Sequence, residues 1–226
     1  AKISAQIGHA GPVANARSNK APALAPVRFF NPLSMKFAKH ATRDDINNVI
    51  AAHAAAARFA IDSGFDAVEI HLGHNYLASS FLSPMINRRN DEFGGSLENR
   101  AKVGRGIVMA VRREVERLGP APIAVTAKLN MADGVRGSIQ IEESLQTAKW
   151  LEEDGGLDAI ELTAGSSLLN PMYLFRGDAP GEGIRGGTEM AAELGGHAHD
   201  RQEVHARIPP TGRPICCATP SSSARN

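Results

Sequence analysis

Residues 64–77 read GFDAVEIHLGHNYL. The run from Asp66 to His71 is short, carries β-branched Val68 and Ile70, and follows a glycine, which predicts a buried strand. Two histidines and one of the chain's only two tyrosines, Tyr76, close the stretch. Polar groups gathered where a buried strand gives way to a loop mark the sheet end at which α/β proteins place their chemistry.

Working outward, the same alternation repeats. KISAQIG (2–8) reads as a first strand, followed by a long polar, proline-bearing loop. A helix is expected from about Asp44 to Ser63. Thr42 with Asp45 forms a capping box, Ile46, Val49, Ile50, Ala57 and Ile61 make the apolar stripe, and Gly64 is the stop. Beyond the opening stretch, NRRNDEFGGS precedes a helix capped by Ser96. That helix carries Leu97, Ile107, Val108, Val111, Val115 and Leu118 and ends at Gly119. A third strand spans Pro122 to Asn130. A helix from about Ser138 to Asp154 has Ile141, Leu145, Ala148 and Leu151 on one face, and a fourth strand spans Leu157 to Leu162. Strand and helix alternating at this pitch mean βαβ units and a parallel α/β sheet. A (β/α)₈ TIM barrel and an open doubly wound sheet both fit. A dinucleotide-binding Rossmann reading is weakened because no G-x-G-x-x-G follows a strand into a helix.

Bulk properties narrow the function classes. A net charge of +1 argues against a nucleic-acid surface, which needs a basic excess. No window has the ~18 uncharged apolar residues of a membrane span, and the start lacks a signal-peptide layout. Cys216 and Cys217 are adjacent and form no disulfide framework, so a cytoplasmic location is expected. The chain begins with Ala1 as if mid-strand, which suggests a piece of a longer polypeptide.

His71 and His74, three apart at a strand end, admit three readings. They are a hydrogen-bonded pair that fills the mouth of the sheet, a metal site with Glu69 that lacks an obvious third ligand, or donors that grip a substrate oxygen with Tyr76 near enough to give a proton. His53 sits on the apolar face of its helix and reads as a core histidine. His9 reads as packing or a direct participant. Arg88, Arg89, Asp91 and Glu92 read as a solvated lid or subunit contact, and Glu98 to Arg100 as capping plus a local ion pair.

The stretch 64–100, GFDAVEIHLGHNYLASSFLSPMINRRNDEFGGSLENR, resembles the signature of the old yellow enzyme family of FMN-dependent NAD(P)H oxidoreductases, which includes bacterial dienoyl-CoA reductases. The resemblance rests on His-x-x-His at the strand end, the tyrosine two residues on, F-L-S-P, N-x-R and D-x-F-G-G-S-x-E-N-R. AQIGHAG, VTAKLN and LDAIELTAGS look like further barrel strands of that family. The resemblance implies a partial (β/α)₈ barrel, about four of eight βα units, over residues 1–180, with FMN as cofactor and NAD(P)H as reductant. It also implies a small α,β-unsaturated carbonyl substrate. By the same resemblance Gln6 would bond the polar edge of the isoalloxazine ring, and Lys128 would stand near flavin N1 and O2. His71 and His74 would hold the substrate carbonyl oxygen, and Tyr76 would protonate the α-carbon. No metal, membrane or nucleic-acid partner is implied, and homo-oligomer formation in the full-length parent is left open. Asn75 departs from the glycine that many members carry.

After about Pro180 the resemblance stops. Residues 181–226 contain no Phe, Tyr, Trp or Lys and few aliphatic side chains, so a low-order tail is expected, from a shifted reading frame or unrelated sequence. GEGIRGG (181–187) has no preceding strand and low motif value. The strands that would carry the FMN phosphate loop are missing, which leaves an alternative function: an inactive fragment or interaction module lacking flavin.

Overall fold

Helix α1 (Arg43–Asp62) begins on the expected reciprocal cap. Thr42 Oγ1 accepts the Asp45 N–H at 3.1 Å, and the Asp45 carboxylate accepts the Thr42 N–H at 2.9 Å. These bonds satisfy two of the N–H groups that a helix start leaves without partners. The structure, a computed structural model, describes residues 1–31, 35–119 and 123–170, together with the backbone of 205–207.

Four parallel strands form the sheet: β1 (Ser4–Ile7), β6 (Ala67–Leu72), β7 (Ala124–Asn130) and β8 (Ala159–Thr163). Each lies beside its predecessor, in the order β1-β6-β7-β8. A doubly wound sheet reverses its strand order at a switch point, whereas a barrel adds each strand next to the last. This sheet has no reversal, so the fold is a partial (β/α)₈ barrel.

Side-chain alternation divides the sheet into two faces. Val68, Ile70, Leu72, Val125, Ala127, Leu129 and Ile160 point to one side and are all buried. Helices α1, α3 (Leu97–Arg117) and α4 (Ile141–Glu153) cover that side, and Ile46, Val49, Ala57, Val103, Ile107, Val108, Val111 and Leu151 join the same core. Each fully buried aliphatic side chain contributes roughly 1.5–3 kcal/mol to folding. The opposite face is polar, with Gln6, Glu69, Thr126, Lys128 and Glu161 in register across it.

Several elements depart from expectation. The loop after β1 contains a 3₁₀ turn (Gly11–Val13) and two small ladders, of β2 (Leu24–Ala25) with β5 (Lys39–His40) and of β3 (Phe30–Asn31) with β4 (Lys36–Phe37). A six-residue helix, α2 (Leu77–Leu82), follows the histidine loop, and all of its residues are buried. Helix α4 starts at Ile141 rather than near Ser138, because Ser138 is committed to Asp133 and Ser83. The stripe expected on α4 is only partly inward: Leu151 is buried, but Ile141 is 53% and Leu145 45% exposed. Of the segment expected to lack order, His205–Arg207 forms a strand, β9, antiparallel to β8, which composition did not foreshadow. The rest of it, with Cys216, Cys217 and the GEGIRGG stretch, lies outside the described residues.

The charged loop before α3 requires a correction. Arg89 is 8% exposed and donates to the carbonyls of Pro26 and Ala41, each at 2.7 Å, while its other nitrogens hold the Asp91 carboxylate. Arg100 is 4% exposed and reaches the Leu82 carbonyl and the Glu143 carboxylate instead of making a local pair. Both are interior cations: Arg89 ties together loop segments before α1 and α3, and Arg100 links the ends of α2 and α4. Arg88 is exposed, as expected, and Glu92 pairs with Arg43 at 2.5 Å.

Candidate active site

The carboxyl ends of the strands place the polar residues in rows. His71, Lys128 and Glu161 stand in one register row across β6, β7 and β8. Asn130 and Thr163 pair in the next row up, beside Gly73. Gln6 and Glu69 form the row below His71.

Of the three residues singled out, His71, near the end of β6, touches both His74 and Tyr76. His71 Nε2 lies 3.3 Å from His74 Nδ1, and the Tyr76 ring stacks on His71 with centroids 4.5 Å apart and planes 17° from parallel. Backbone contacts hold the loop in this shape. The Gly73 N–H donates to His71 Nδ1 at 3.2 Å, the His74 N–H to Asn130 Oδ1 at 3.3 Å, and the Leu77 N–H to the His9 carbonyl at 2.9 Å. Gly11, at φ +59°, lets the first loop approach so closely that a Cβ there would stand 2.5 Å from the Leu77 nitrogen. His74 and Asn75 both adopt left-handed backbone, at φ 58° and 57°. Non-glycine residues there carry strain of order 1 kcal/mol each. Ser166 offsets it: its hydroxyl donates to Asn75 Oδ1, while Ser167 N–H donates to the His74 carbonyl at 3.0 Å.

Lys128 and Gln6 occupy the same polar face but are already engaged. Lys128 Nζ pairs with Glu161, and Gln6 Nε2 donates to Glu69. Neither bonds the histidines. Burial, followed by the nearby charges of His74 and Lys128, pushes His71 down to about 4. Burial, then Lys128, also lowers His74. Both imidazoles are therefore neutral near pH 7, with one N–H each. Burial raises Glu69, and its hydrogen bond to Glu161 pushes the same way, against Gln6 and Lys128. Glu69 thus holds its proton more readily than an ordinary carboxyl, one row below the Lys128–Glu161 ion pair.

His9 keeps its imidazole on the Gly11 N–H at 2.9 Å, and His53 bonds the Val49 carbonyl at 2.7 Å with 6% of its surface exposed. His53 is the core histidine its position on the helix suggested. Among the described residues, no three His, Cys, Asp or Glu side chains converge as a metal site, and no helix is long and apolar enough to cross a membrane.

Sequence reasoning placed Asn130 among the polar groups at the strand ends but overlooked Glu161 and Thr163. Their signal was the alternation of E-L-T and K-L-N on neighbouring strands, which becomes readable only once the register of β7 on β8 is known.

The strand order and the polar strand ends fit an α/β-barrel protein, and similarity to known proteins places it among the barrel oxidoreductases. The sequence profile of the NADH:flavin oxidoreductase / NADH oxidase family matches residues 1–165, and the chain belongs to that family. It is 50% identical over 180 residues to the 4,4'-dithiodibutanoate disulfide reductase of Rhodococcus erythropolis, covering 80% of this chain and 44% of that one. It is 32% identical to the NADPH dehydrogenase of Halalkalibacterium halodurans, over 78% of this chain and 49% of that one. The old yellow enzyme homologue of Zymomonas mobilis superposes with a TM-score of 0.59 at 25% identity, over 68% of this chain and 45% of that structure. The chain spans about half the length of the relatives it matches.

Proposed function

We propose that this chain is part of an FMN-dependent NAD(P)H oxidoreductase that reduces the activated C=C of an α,β-unsaturated carbonyl compound. The observation that carries the reading is the contact of His71 with both His74 and Tyr76 on the face that also carries Gln6 and Lys128. We place the family domain at residues 1–180, with the remainder a separate tail.

The donor set on this face fits the polar edge of a flavin. Gln6 offers an amide that both donates and accepts, and Lys128 offers a cation suited to the N1–O2 side. Bound FMN would supply the two-electron chemistry, drawing on NAD(P)H. His71 and His74, both neutral, would direct their N–H groups at the substrate carbonyl oxygen and stabilise charge as it develops there. To reach both donors, that oxygen must replace the acceptors they now use, His74 Nδ1 and Thr163 Oγ1. Tyr76 would hand its phenolic proton to the α-carbon, and stacking on His71 keeps its ring beside the histidine pair.

Flavin absorbance after reconstitution of the full-length protein that includes this chain, followed by enone-dependent NADPH oxidation, tests the reading. Tyr76→Phe is expected to slow alkene reduction by about 10²–10⁴-fold while leaving flavin reduction intact. Equal rates in the two proteins would remove Tyr76 from the reaction. Absence of flavin uptake would favour the inactive-fragment or interaction-module alternative.

The half-identical Rhodococcus relative favours a second reading, in which the bond reduced is a disulfide. Two electrons and two protons then release two thiols, and the same proton donors serve the departing sulfurs. Presenting 4,4'-dithiodibutanoate and an enone in parallel separates the two substrates.

A further inference from the structure

We infer that Thr163 is a positioning residue that holds His74 by accepting its Nε2–H, at the end of a hydrogen-bonded run that begins at the Gly73 backbone N–H and fixes the tautomers of both histidines. Three contacts carry the argument. The Gly73 backbone N–H donates to His71 Nδ1, so that nitrogen is bare and the single proton of neutral His71 sits on Nε2. His71 Nε2 faces His74 Nδ1 at 3.3 Å, so His74 Nδ1 accepts and its own proton sits on Nε2. His74 Nε2 meets Thr163 Oγ1 at 2.8 Å, the shortest of the three contacts, and the hydroxyl accepts there. The donors run in one direction, from backbone through two rings to a hydroxyl on β8. Reversing any link would leave one imidazole with two bare nitrogens or set two N–H groups against each other.

The seat of Thr163 is built for this. It stands in register with Asn130, which bonds the His74 backbone N–H, so β7 and β8 together hold both ends of that residue. Across from it, a Cβ at Gly73 would come within 2.9 Å of Thr163 Cγ2, so the absence of a side chain at Gly73 is what leaves the threonine its place. A hydroxyl at the end of the chain serves where a carboxylate would not, since a carboxylate would draw the rings toward the charged imidazolium state.

The functional meaning of this inference rests on the histidines being the donors proposed above, but its test does not need flavin. Long-range ¹H–¹⁵N correlation of the histidine side chains separates protonated from bare ring nitrogens. The chain at neutral pH is expected to show the Nε2–H tautomer at both His71 and His74. Thr163→Val, of nearly the same shape, should leave the His74 Nε2–H without its acceptor and shift the signals of that nitrogen and its proton, and Thr163→Ser should restore them. A wild-type spectrum with His74 protonated on Nδ1 overturns the inference without any variant. A valine variant whose histidine signals match wild type overturns it as well. Failure of the full-length protein that includes this chain to take up flavin would sink the proposed function and leave the tautomer result standing.

Discussion

His71 ties the chemistry of the site to the pH dependence of the fold. Its folded pKa of about 4 lies below the ordinary 6.5. Between those values the unfolded chain takes up a proton that the folded chain refuses, so stability falls as the pH falls. The contribution is whole above about pH 6.5 and is lost progressively down to about pH 4, with an upper bound near 3 kcal/mol. His74, His9 and His53 are lowered too, chiefly by burial, and push the same way. Asp45, held at about 2 by Lys39 and the Thr42 cap, loses its contribution only below its ordinary 3.8. Glu69, raised by burial, runs oppositely, its contribution present below 4.5 and lost as the pH rises through its folded value. Denaturant midpoints at pH 7, 5.5 and 4.5 should therefore decline, with His71 itself titrating near 4 by NMR. A His71 midpoint at or above 6.5 contradicts the buried, neutral pair. At this scale the sequence was legible for His71, His74 and Tyr76, which lie within six positions of each other. It was silent on Thr163, 89 residues from its histidine partner and connected to it only through strand register.

Adjacent arginines show where element-level reading fails. Arg88 and Arg89 look alike in sequence, yet one is exposed and the other is buried against the carbonyls of Pro26 and Ala41. A buried cation leaves no mark in hydrophobic periodicity, because what it satisfies are carbonyls of distant segments, here Pro26 and Ala41. Arg89→Met removes those donors, and two interior carbonyls without partners should cost about 2–4 kcal/mol. Arg88→Met should stay within about 0.5 kcal/mol of wild type, as exposed substitutions do. Thermal or denaturant unfolding of the pair checks both, and equal stabilities would mean that Arg89 is no staple. The long helices were readable because caps and 3.6-residue stripes are local. Helix α2 was missed because six residues are too few to show a period, and all six are buried, so none marks an outer face.

Across the whole chain, strand order and the two-faced sheet explain what a half-length piece of this family retains. The apolar face is closed by helices, and so the core is sound. Among the described residues, no helix backs the polar face that would line a barrel interior, and β1 ends the sheet with one side unpaired. At the far end α4 exposes Ile141 and Leu145, with Leu162 of β8 37% exposed. In a complete barrel the next βα unit would cover such a surface, and exposed apolar surface of this kind is a template for association. Gln6 and Lys128 offer partners for the edge of a flavin ring, but they are occupied by Glu69 and Glu161, so ring binding must displace existing bonds. The chain on its own is therefore expected to bind FMN weakly or not at all and to self-associate as its concentration rises. Light scattering across a concentration series, run beside a flavin titration followed by absorbance, measures both. Adding an Ile141→Lys, Leu145→Lys pair should reduce the association without changing flavin binding, since neither side chain reaches the polar face. A yellow, monomeric wild-type sample that unfolds cooperatively would show that four parallel strands suffice to hold the cofactor.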